Sequence, residues 1–296
     1  MNKGAQYREL GAVLRARREQ AGLTGRELSR LTGWTKTKIS RIETGQSMID
    51  AVDAIHYLGH CGLFRRDVMD ELALLKDAER RLGFWLSPHG EWLEDSLGSL
   101  IYHEVTAAES TTYEPLLVPG LLQTSDYART RIAAEQWRSP ENVKQCVRIR
   151  MERQRILDLP YPAMFRFFVH EQALLLEVGS PVVMHEQMLK LALATALDHI
   201  SLRVVPLSAG ERSAFGGPFI IFEYAHYPPL VCLDTGSSGL FLEDKEHTAP
   251  FRTLLPVISE VALNEGQSRE LVATLASEYD RRSEQHAGDH LEEEQL

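Results

Sequence analysis

The sequence predicts a mainly α fold with a small β-sheet, in which an all-α head precedes a larger α+β domain. Its 296 residues, 44% of them apolar, suffice for two domains with full hydrophobic cores. Apolar residues recur at helical spacing through residues 7–81. Strand-like apolar runs come later, and they are Phe165–Val169, Ile200–Val205, Phe219–Tyr224, Leu230–Leu233 and Leu240–Leu242.

The stretch 24–45, TGRELSRLTGWTKTKISRIETG, predicts two short helices joined by a tight corner. Thr24 is a favourable N-cap, and Glu27 three residues later completes a capping-box signature. Gly33 can take the positive φ that ends the first helix, and Thr35 is the expected N-cap of the second. The pair is therefore a helix-turn-helix candidate.

Apolar spacing predicts which faces of the head helices point inward. The inward residues are expected to be Leu10, Val13 and Leu14 in the first helix, Leu28 and Leu31 in the second, Ile39 and Ile42 in the third, and Ile49, Val52, Ile55 and Leu58 in the fourth. The opposite face of the third helix is basic and rich in hydroxyl groups, and such a helix can enter a DNA major groove.

The outward face of the third helix predicts the contacts with double-stranded DNA. The base-reading candidates are Lys36, Thr37, Ser40 and Arg41, and the phosphate candidates are Thr24, Thr35, Lys38 and Thr44. The alternative is an ordinary helical hairpin in a larger core, which would not need so many basic and hydroxyl residues on one exposed helix.

This stretch resembles the XRE/Cro-like helix-turn-helix family of transcriptional regulators. The matching positions are Gly22-Leu23-Thr24, Glu27-Leu28, Gly33, Ile39-Ser40-Arg41-Ile42-Glu43 and Gly45. The resemblance implies a largely buried salt bridge between Arg18 of the first helix and Glu43. An exposed Glu43 that pairs with Lys38 or Arg41 is the alternative.

Charge is distributed unevenly along the chain. Residues 1–66 hold 12 Lys and Arg against 6 Asp and Glu, whereas the whole chain has a net charge of −10. A basic head on an acidic body is expected when only the head meets phosphate. Cys61, Cys146 and Cys232 form no close pair, which favours reduced thiols in a cytoplasmic protein. Neither a signal peptide nor a membrane span is predicted.

Four segments are expected along the chain: a DNA-binding head (1–66), a helical connector (67–90), an α+β domain (91–283) and an acidic disordered tail (284–296). The α+β domain is expected to begin with a helix at Trp92. The connector has an apolar series, Val68, Leu72, Leu75 and Leu82, which must be buried. Its partner could be the head, the second domain, or the same helix of a twin subunit.

The second domain resembles the effector-like domain, long of unknown function, that follows an XRE-type head in an actinomycete regulator family. The resemblance covers about 107–278, and its marks are Val118–Thr124, Tyr127-Ala128, Arg150-x-x-Arg153-Gln154, Glu171-x-x-Leu174, Gln187 and Pro206. It implies a transcription factor, often paired with a small protein encoded nearby, and some members are described as toxin–antitoxin-like.

The apolar loop Val118–Thr124 is the candidate effector site. Leu121, Leu122 and Gln123 could line a pocket or a partner groove, with Tyr127 and Arg153 as the polar groups beside it. Alternatively, the loop residues simply fill the core of the domain. The basic run 148–155 could bind an anion, but a solvated or salt-bridged helix face is the simpler interpretation.

No enzyme motif is complete, so catalytic, cofactor and metal sites are not predicted. His185-Glu186 and His170-Glu171 each begin like a zinc-protease HExxH motif, but both lack the second histidine. The sequence therefore favours a homodimeric DNA-binding regulator on an inverted-repeat operator, whose second domain senses a small ligand or a small partner protein. The alternative is an antitoxin-like module that neutralises a partner encoded nearby and autoregulates through its head.

Overall fold

A computed structural model describes residues 4–63, 68–80, 84–88, 98–135, 138–159, 162–213, 215–234 and 238–293. The chain divides into two compact units, Met1–Trp85 with Leu242–His247, and Leu86–Phe241 with Thr248–Leu296. The core of the first unit is formed by helices, and the second unit combines helices with a mixed sheet. The predicted fold class is thus confirmed.

The helices of the first unit share one hydrophobic core. They are α1 (Ala5–Gln20), α2 (Gly25–Thr32), α3 (Lys36–Glu43), α4 (Ala51–His60) and α5 (Met69–Arg80). Their buried residues include Leu10, Leu14, Leu28, Ile39, Ile42, Ala54, Tyr57 and Leu58. Glycine ends the first two helices, with Gly22 and Gly33 at positive φ.

The predicted caps of α2 and α3 are present. Thr24 accepts a hydrogen bond from the Glu27 N–H, and Glu27 accepts one from the Thr24 N–H, which completes the capping box. Gly33 has φ 72°. The Thr35 hydroxyl accepts from the Lys38 N–H at the start of α3. The corner between the two helices is therefore determined by local chemistry.

The prediction of inward-facing residues is wrong for three of them, since Leu31, Val52 and Ile55 are 42%, 76% and 49% exposed. In α4 the core contacts come instead from Ala54, Tyr57 and Leu58. With 3.6 residues per turn, each step of three residues rotates the position by about 60°. Counted back from the buried Leu58, Ile55 therefore lies about 60° and Val52 about 120° away around the helix, outside the core face.

Helix α5 packs against its own head. Val68, Leu75 and Ala78 belong to the head core, and Glu71 is buried with a carboxylate oxygen 2.8 Å from the Arg17 Nε. The apolar series of the connector is thus buried by the first of the three expected partners, so it does not supply a subunit interface. Leu82 lies outside the described residues.

Most residues of the sheet belong to the second unit. The strands of the sheet are β1 (Phe84–Pro88), β2 (Glu109–Glu114), β3 (Met164–His170), β4 (Ile200–Val205), β5 (Phe219–Glu223), β6 (Leu230–Asp234) and β7 (Ser238–Leu242). The order is β1-β7-β6-β5-β2-β3-β4. Strands β2, β3 and β4 run parallel, whereas β5 is antiparallel to both β2 and β6. Strand β2 therefore lies where the sheet changes direction.

The helices of the second unit are α6 (Gly98–Thr106), α7 (Ser125–Ala133), α8 (Pro140–Arg153), α9 (Glu171–Leu175), α10 (Pro181–Ala194), α11 (Lys245–Val261) and α12 (Glu265–Glu293). The main core joins alternate residues of β3 and β4 to α10 and α12, among them Phe165, Phe167, Val169, Leu202, Val204, Met184, Met188, Leu191, Val272 and Leu275. None of the described helices is both long and apolar enough to cross a membrane.

The predicted strands are present, but two features differ from expectation. Strand β2, with the sequence ESTTYE, was not among the apolar runs that predicted strands, and its Ser110, Thr111 and Thr112 are buried between β3 and β5. Helix α12 continues to Glu293, so the prediction of disorder from 284 is wrong up to that residue. The expected helix start at Trp92 lies outside the described residues.

Candidate DNA-reading surface and ligand cavity

Helix α3 presents the predicted base-reading face to solvent. Its inner residues, Ile39 and Ile42, are each 2% exposed and belong to the head core. Its exposed residues include Lys36, Thr37, Ser40 and Arg41. A helix that is held by two buried isoleucines and exposes two cations and two hydroxyl groups can contact base edges in a major groove.

The head contains the predicted buried ion pair between α1 and α3. Arg18 donates from Nε to Glu43 Oε1 at 2.7 Å and from Nη2 to Oε2 at 2.9 Å. The same guanidinium donates from Nη1 to the Leu23 carbonyl at 2.7 Å. Both side chains are nearly buried, at 9% and 8% exposure. This two-point contact fixes α3 on α1.

A tyrosine completes the pair from α4. The Tyr57 hydroxyl donates to Glu43 Oε1 at 2.6 Å. Burial, together with this hydrogen bond, raises the pKa of Tyr57. The bond to Glu43 is the main cause that raises the pKa of Arg18. Glu43 therefore ties three helices together and is turned away from the DNA-reading face.

Helix α1 comes close to the end of α3 at Gly11. A Cβ atom at this position would lie 2.5 Å from the Ile42 carbonyl oxygen and 2.7 Å from that of Glu43. Backbone atoms cannot move away as a flexible side chain can. The absence of a side chain at Gly11 therefore allows the short distance between α1 and α3.

The predicted phosphate contacts are already engaged within the head. The hydroxyl groups of Thr24 and Thr35 cap their helices, and Thr44 Oγ1 donates to the Ser40 carbonyl. Lys38 Nζ lies 2.7 Å from Asp53 Oδ2 and 3.8 Å from the centre of the Trp34 ring. Lys38 uses only one of its three N–H donors in this way, whereas the single hydroxyl protons of Thr24 and Thr44 are already donated to Glu27 and to the Ser40 carbonyl.

A cavity of about 290 Å³ lies in the second unit, on the sheet beside α6, α7 and α8. Leu121, Gln123 and Arg153 line it, as the pocket hypothesis expects. Leu122 and Tyr127 are not in its lining and belong to the main core. Part of the apolar loop therefore lines a pocket, and part of it fills the core of the domain.

Side chains from two helices satisfy the backbone of this buried loop. Gln187, which is fully buried, donates to the Leu122 carbonyl and accepts from the Thr124 N–H. Gln154 donates to the carbonyls of Gly120 and Gln123. Since buried carbonyls need hydrogen-bond partners, these glutamines allow an apolar loop to lie in the interior.

Gln123 connects the loop to the cavity. Its Nε2 donates to the Val118 carbonyl at 2.7 Å, and its Oε1 accepts from Arg150 Nη1 at 2.6 Å. Lys190 adds a hydrogen bond to the Gln123 carbonyl at 2.8 Å. The position of the Arg150 guanidinium is therefore tied to the fold of the loop.

Buried charges line the cavity. Arg153 Nε lies 3.0 Å from Glu104 Oε2, and their side chains are 7% and 1% exposed. Neither of these two atoms has a hydrogen bond of good geometry among the described residues. Burial raises the pKa of Glu104, an effect that Arg153 opposes. The pair is close but poorly aligned, so it is costly unless something further contacts it.

Two further groups of the cavity, Arg150 and Glu114, also have shifted pKa values. Burial, with the neighbouring Arg153 cation, lowers the pKa of Arg150 to about 10. Burial, with the Asp234 carboxylate, raises the pKa of Glu114 to about 8, although Arg150 acts in the opposite sense. At pH 7 Arg150 is thus charged and Glu114 is mostly a neutral acid.

Replacing Glu114 by glutamine is expected to stabilise the second unit by roughly 3–4 kcal/mol more at pH 8 than at pH 5. Between its unfolded pKa of about 4.3 and its folded pKa of about 8, Glu114 loses its proton only on unfolding. The unfolding free energy of the wild type therefore falls as the pH rises through this window.

Hydrogen exchange of β2 peptides at the two pH values measures the effect of Glu114→Gln. Glu141→Gln, which alters an exposed carboxylate at the start of α8, is the matched control. The same difference in protection between the wild type and Glu114→Gln at both pH values would contradict the expected shift.

Two family profiles match the chain. Residues 97–274 match a domain of unknown function, DUF5753, and residues 9–72 match a helix-turn-helix domain. The chain belongs to the DUF5753 family. No curated protein and no solved structure matches it significantly.

The two matched regions contain the two candidate sites, which are the exposed face of α3 and the cavity. The helix-turn-helix match contains α3 and the Arg18–Glu43 pair, which supports a DNA-binding regulator. The DUF5753 match contains every residue that lines the cavity.

Sequence reasoning singled out Arg153 in the cavity but not Glu104, Glu114 or Arg150 as site residues. The spacing Arg150-x-x-Arg153 could have indicated Arg150, because residues three apart share a helix face. The two glutamates could not be found in this way, since they lie on α6 and β2, far from α8 in sequence.

Proposed function

We propose that this DUF5753 protein is a sequence-specific transcriptional regulator of the XRE type rather than an enzyme. The observation that supports this proposal most is the exposed face of α3, held rigidly on α1 by the Arg18–Glu43 pair. Lys36, Thr37, Ser40 and Arg41 are the residues assigned to base edges.

The phosphate contacts in this proposal are made around the ends of α2 and α3. Thr24, Thr35, Lys38 and Thr44 are the assigned residues, and the backbone N–H groups at the two helix starts favour an anion as well. Lys38 can contact a phosphate with its other N–H donors while it keeps Asp53. Arg26 and Arg30 on α2 are also exposed and add to the basic surface.

Lys36→Ala and Arg41→Ala are each expected to weaken binding to the operator by about 1–3 kcal/mol, because each removes a charged donor from the base-reading face. Genome-wide mapping of bound sites would supply the operator, and fluorescence anisotropy at fixed salt would measure its affinity.

Lys144→Ala is the matched control for these two variants. It removes the same charge from an exposed helix position of the second unit. If Lys36→Ala and Arg41→Ala bound the mapped operator as tightly as Lys144→Ala does, the assignment of α3 as the reading helix would be wrong.

The proposed assembly is a cytoplasmic homodimer on an inverted repeat. One small head makes too few base contacts for operator specificity, and paired heads normally read half-sites about 34 Å apart. The apolar stripe of α5 is used in the core of its own head, so it is not assigned to the subunit interface. Light scattering of the intact chain, compared with its affinity for one half-site and for two, tests the assembly.

The second domain is proposed to sense a small molecule. The cavity supports this, since its volume is near the lower end of the roughly 300–1,000 Å³ typical of small-molecule pockets. It also combines apolar walls with a few buried charged groups. An operator-binding assay with added metabolite pools tests this part of the proposal.

An antitoxin-like role is the second candidate, and an exposed apolar stripe on α10 favours it. Val182, Leu189 and Leu193 are 53%, 44% and 73% exposed. Their spacing of seven and four residues places them on one helix face. A small protein encoded nearby is the proposed partner, and co-purification with neighbouring gene products would separate this role from small-molecule sensing.

A further inference from the structure

The arginines that line the cavity differ in one respect. Arg131 and Arg138 both pair with Glu135, and Arg153 pairs with Glu104. Arg150 has no ion-pair partner within the described part of the chain. Its hydrogen bond to Gln123 uses one N–H of the five in a guanidinium. A partly buried cation with unused donors therefore faces the cavity.

The space beside Arg150 is kept open by a glycine. A Cβ atom at Gly120 would lie 3.3 Å from Arg153 Nη2 and 3.6 Å from Arg150 Nη1. The two guanidinium groups thus flank the same backbone position of the loop. Planar guanidinium groups bind carboxylates through two parallel hydrogen bonds, which makes this an attractive place for a carboxylate.

The charge balance of the lining also favours a negative charge. Four arginines and four carboxyl groups face the cavity, the latter being Glu104, Glu114, Glu135 and Asp234. Because the pKa of Glu114 is raised to about 8, that group is mostly neutral at pH 7 and can donate a hydrogen bond. The charged groups of the lining then carry a positive excess, which a bound carboxylate would reduce.

Apolar residues form much of the rest of the lining, beside the polar Thr112 and Gln123. Leu100, Leu117, Ile132, Phe167 and Phe219 contribute to the walls. A ligand that consisted only of a small hydrated anion would leave these walls facing empty space or water. A carboxylate attached to a compact hydrocarbon group would satisfy both parts of the cavity.

We propose that the cavity binds a small apolar monocarboxylate, whose carboxylate is held by Arg150 and whose hydrocarbon part packs on the leucine and phenylalanine walls. The inference rests on the proposed role of the second domain as a small-molecule sensor, and it names the class of ligand. Arg153, fixed by Glu104, adds positive potential rather than a direct ion pair.

The test is isothermal titration of the intact chain with phenylacetate as the probe. Phenylacetamide has the same shape without the charge, and phenethylamine carries the opposite charge. Phenylacetate is expected to bind at least tenfold more tightly than either. Arg150→Gln is expected to weaken phenylacetate binding by about 10–100-fold and to leave phenylacetamide binding unchanged, because only the charge-assisted contact is lost.

Arg148→Gln is the matched control. It makes the same substitution two residues earlier on α8, at an exposed side chain near Glu152 that does not line the cavity. Its phenylacetate affinity should equal that of the wild type. Thermal unfolding of both variants without ligand separates loss of binding from loss of fold.

Several results would overturn the inference: no measurable phenylacetate binding, equal binding of the acid and the amide, tighter binding of the amine, or unchanged acid binding by Arg150→Gln. The operator assay is scored separately. Phenylacetate binding without a change in operator affinity would contradict the sensor function but not the ligand class. Operator release by an uncharged metabolite would support the sensor and contradict the ligand class.

Discussion

Replacing Arg18 by methionine is expected to lower the free energy of unfolding of the head by about 3–5 kcal/mol. The substitution keeps most of the aliphatic stem but leaves the Glu43 carboxylate buried without its cation. Tyr57 still donates one hydrogen bond to that carboxylate, which is too little to compensate a full charge. Hydrogen exchange of head peptides in the intact chain measures the loss.

A double variant separates the ion pair from the packing around it. Arg18→Met combined with Glu43→Met removes both charges, and it should be more stable than Arg18→Met alone because no uncompensated charge remains. Arg15→Met is the matched control on the same helix, where the pair with Glu19 is exposed, and it should change little. An Arg18→Met variant as stable as Arg15→Met would show that the buried pair does not hold α3.

Gly11→Ala is expected to cost the head about 3 kcal/mol and to weaken operator binding as well. The added methyl group would lie 2.5 Å from the Ile42 carbonyl oxygen, so α1 and α3 must separate. Any separation also lengthens the contacts between Arg18 and Glu43. The loss should therefore exceed that of an ordinary overpacked core residue, and hydrogen exchange of the α1 and α3 peptides measures it.

Gly25→Ala is the control for this prediction. Gly25 is the first residue of α2, and a Cβ atom there meets nothing within 4 Å. Since alanine is a better helix former than glycine, Gly25→Ala should stabilise the head slightly. If Gly11→Ala and Gly25→Ala had the same effect on the stability of the head, the close approach of α1 and α3 would not restrict position 11 to glycine.

The head was largely predictable because its determinants are local. Thr24 and Glu27 cap the start of α2 and Gly33 ends it, so these residues predict the corner from the sequence alone. Which face of α4 is buried was not predictable in the same way. It depends on how far the Tyr57 ring reaches into the core, and Val52 and Ile55 have an equally apolar pattern.

In the second domain, the apolar strands could be predicted from the sequence. A polar strand that forms because neighbouring strands pair with it could not. Phe165–Val169 has the composition of a buried strand by itself. The polar β2 becomes a strand because β3 and β5 pair with its two edges. For the same reason the cavity was only half foreseen, since Glu104, Glu114 and Arg150 meet through the fold rather than through the sequence.

The order of strands in the sheet also has a consequence for synthesis of the chain. Among the described residues, the buried core of the head lies within 7–78, so it can form early on the ribosome, with short loops to close. Strand β2 pairs with β3 once residues 164–170 have emerged, but its other edge must wait for residues 219–223. A nascent chain arrested before residue 219 therefore carries a formed head core and an open sheet edge with unpaired N–H and C=O groups, the kind of surface that chaperones cover and that aggregates when they do not.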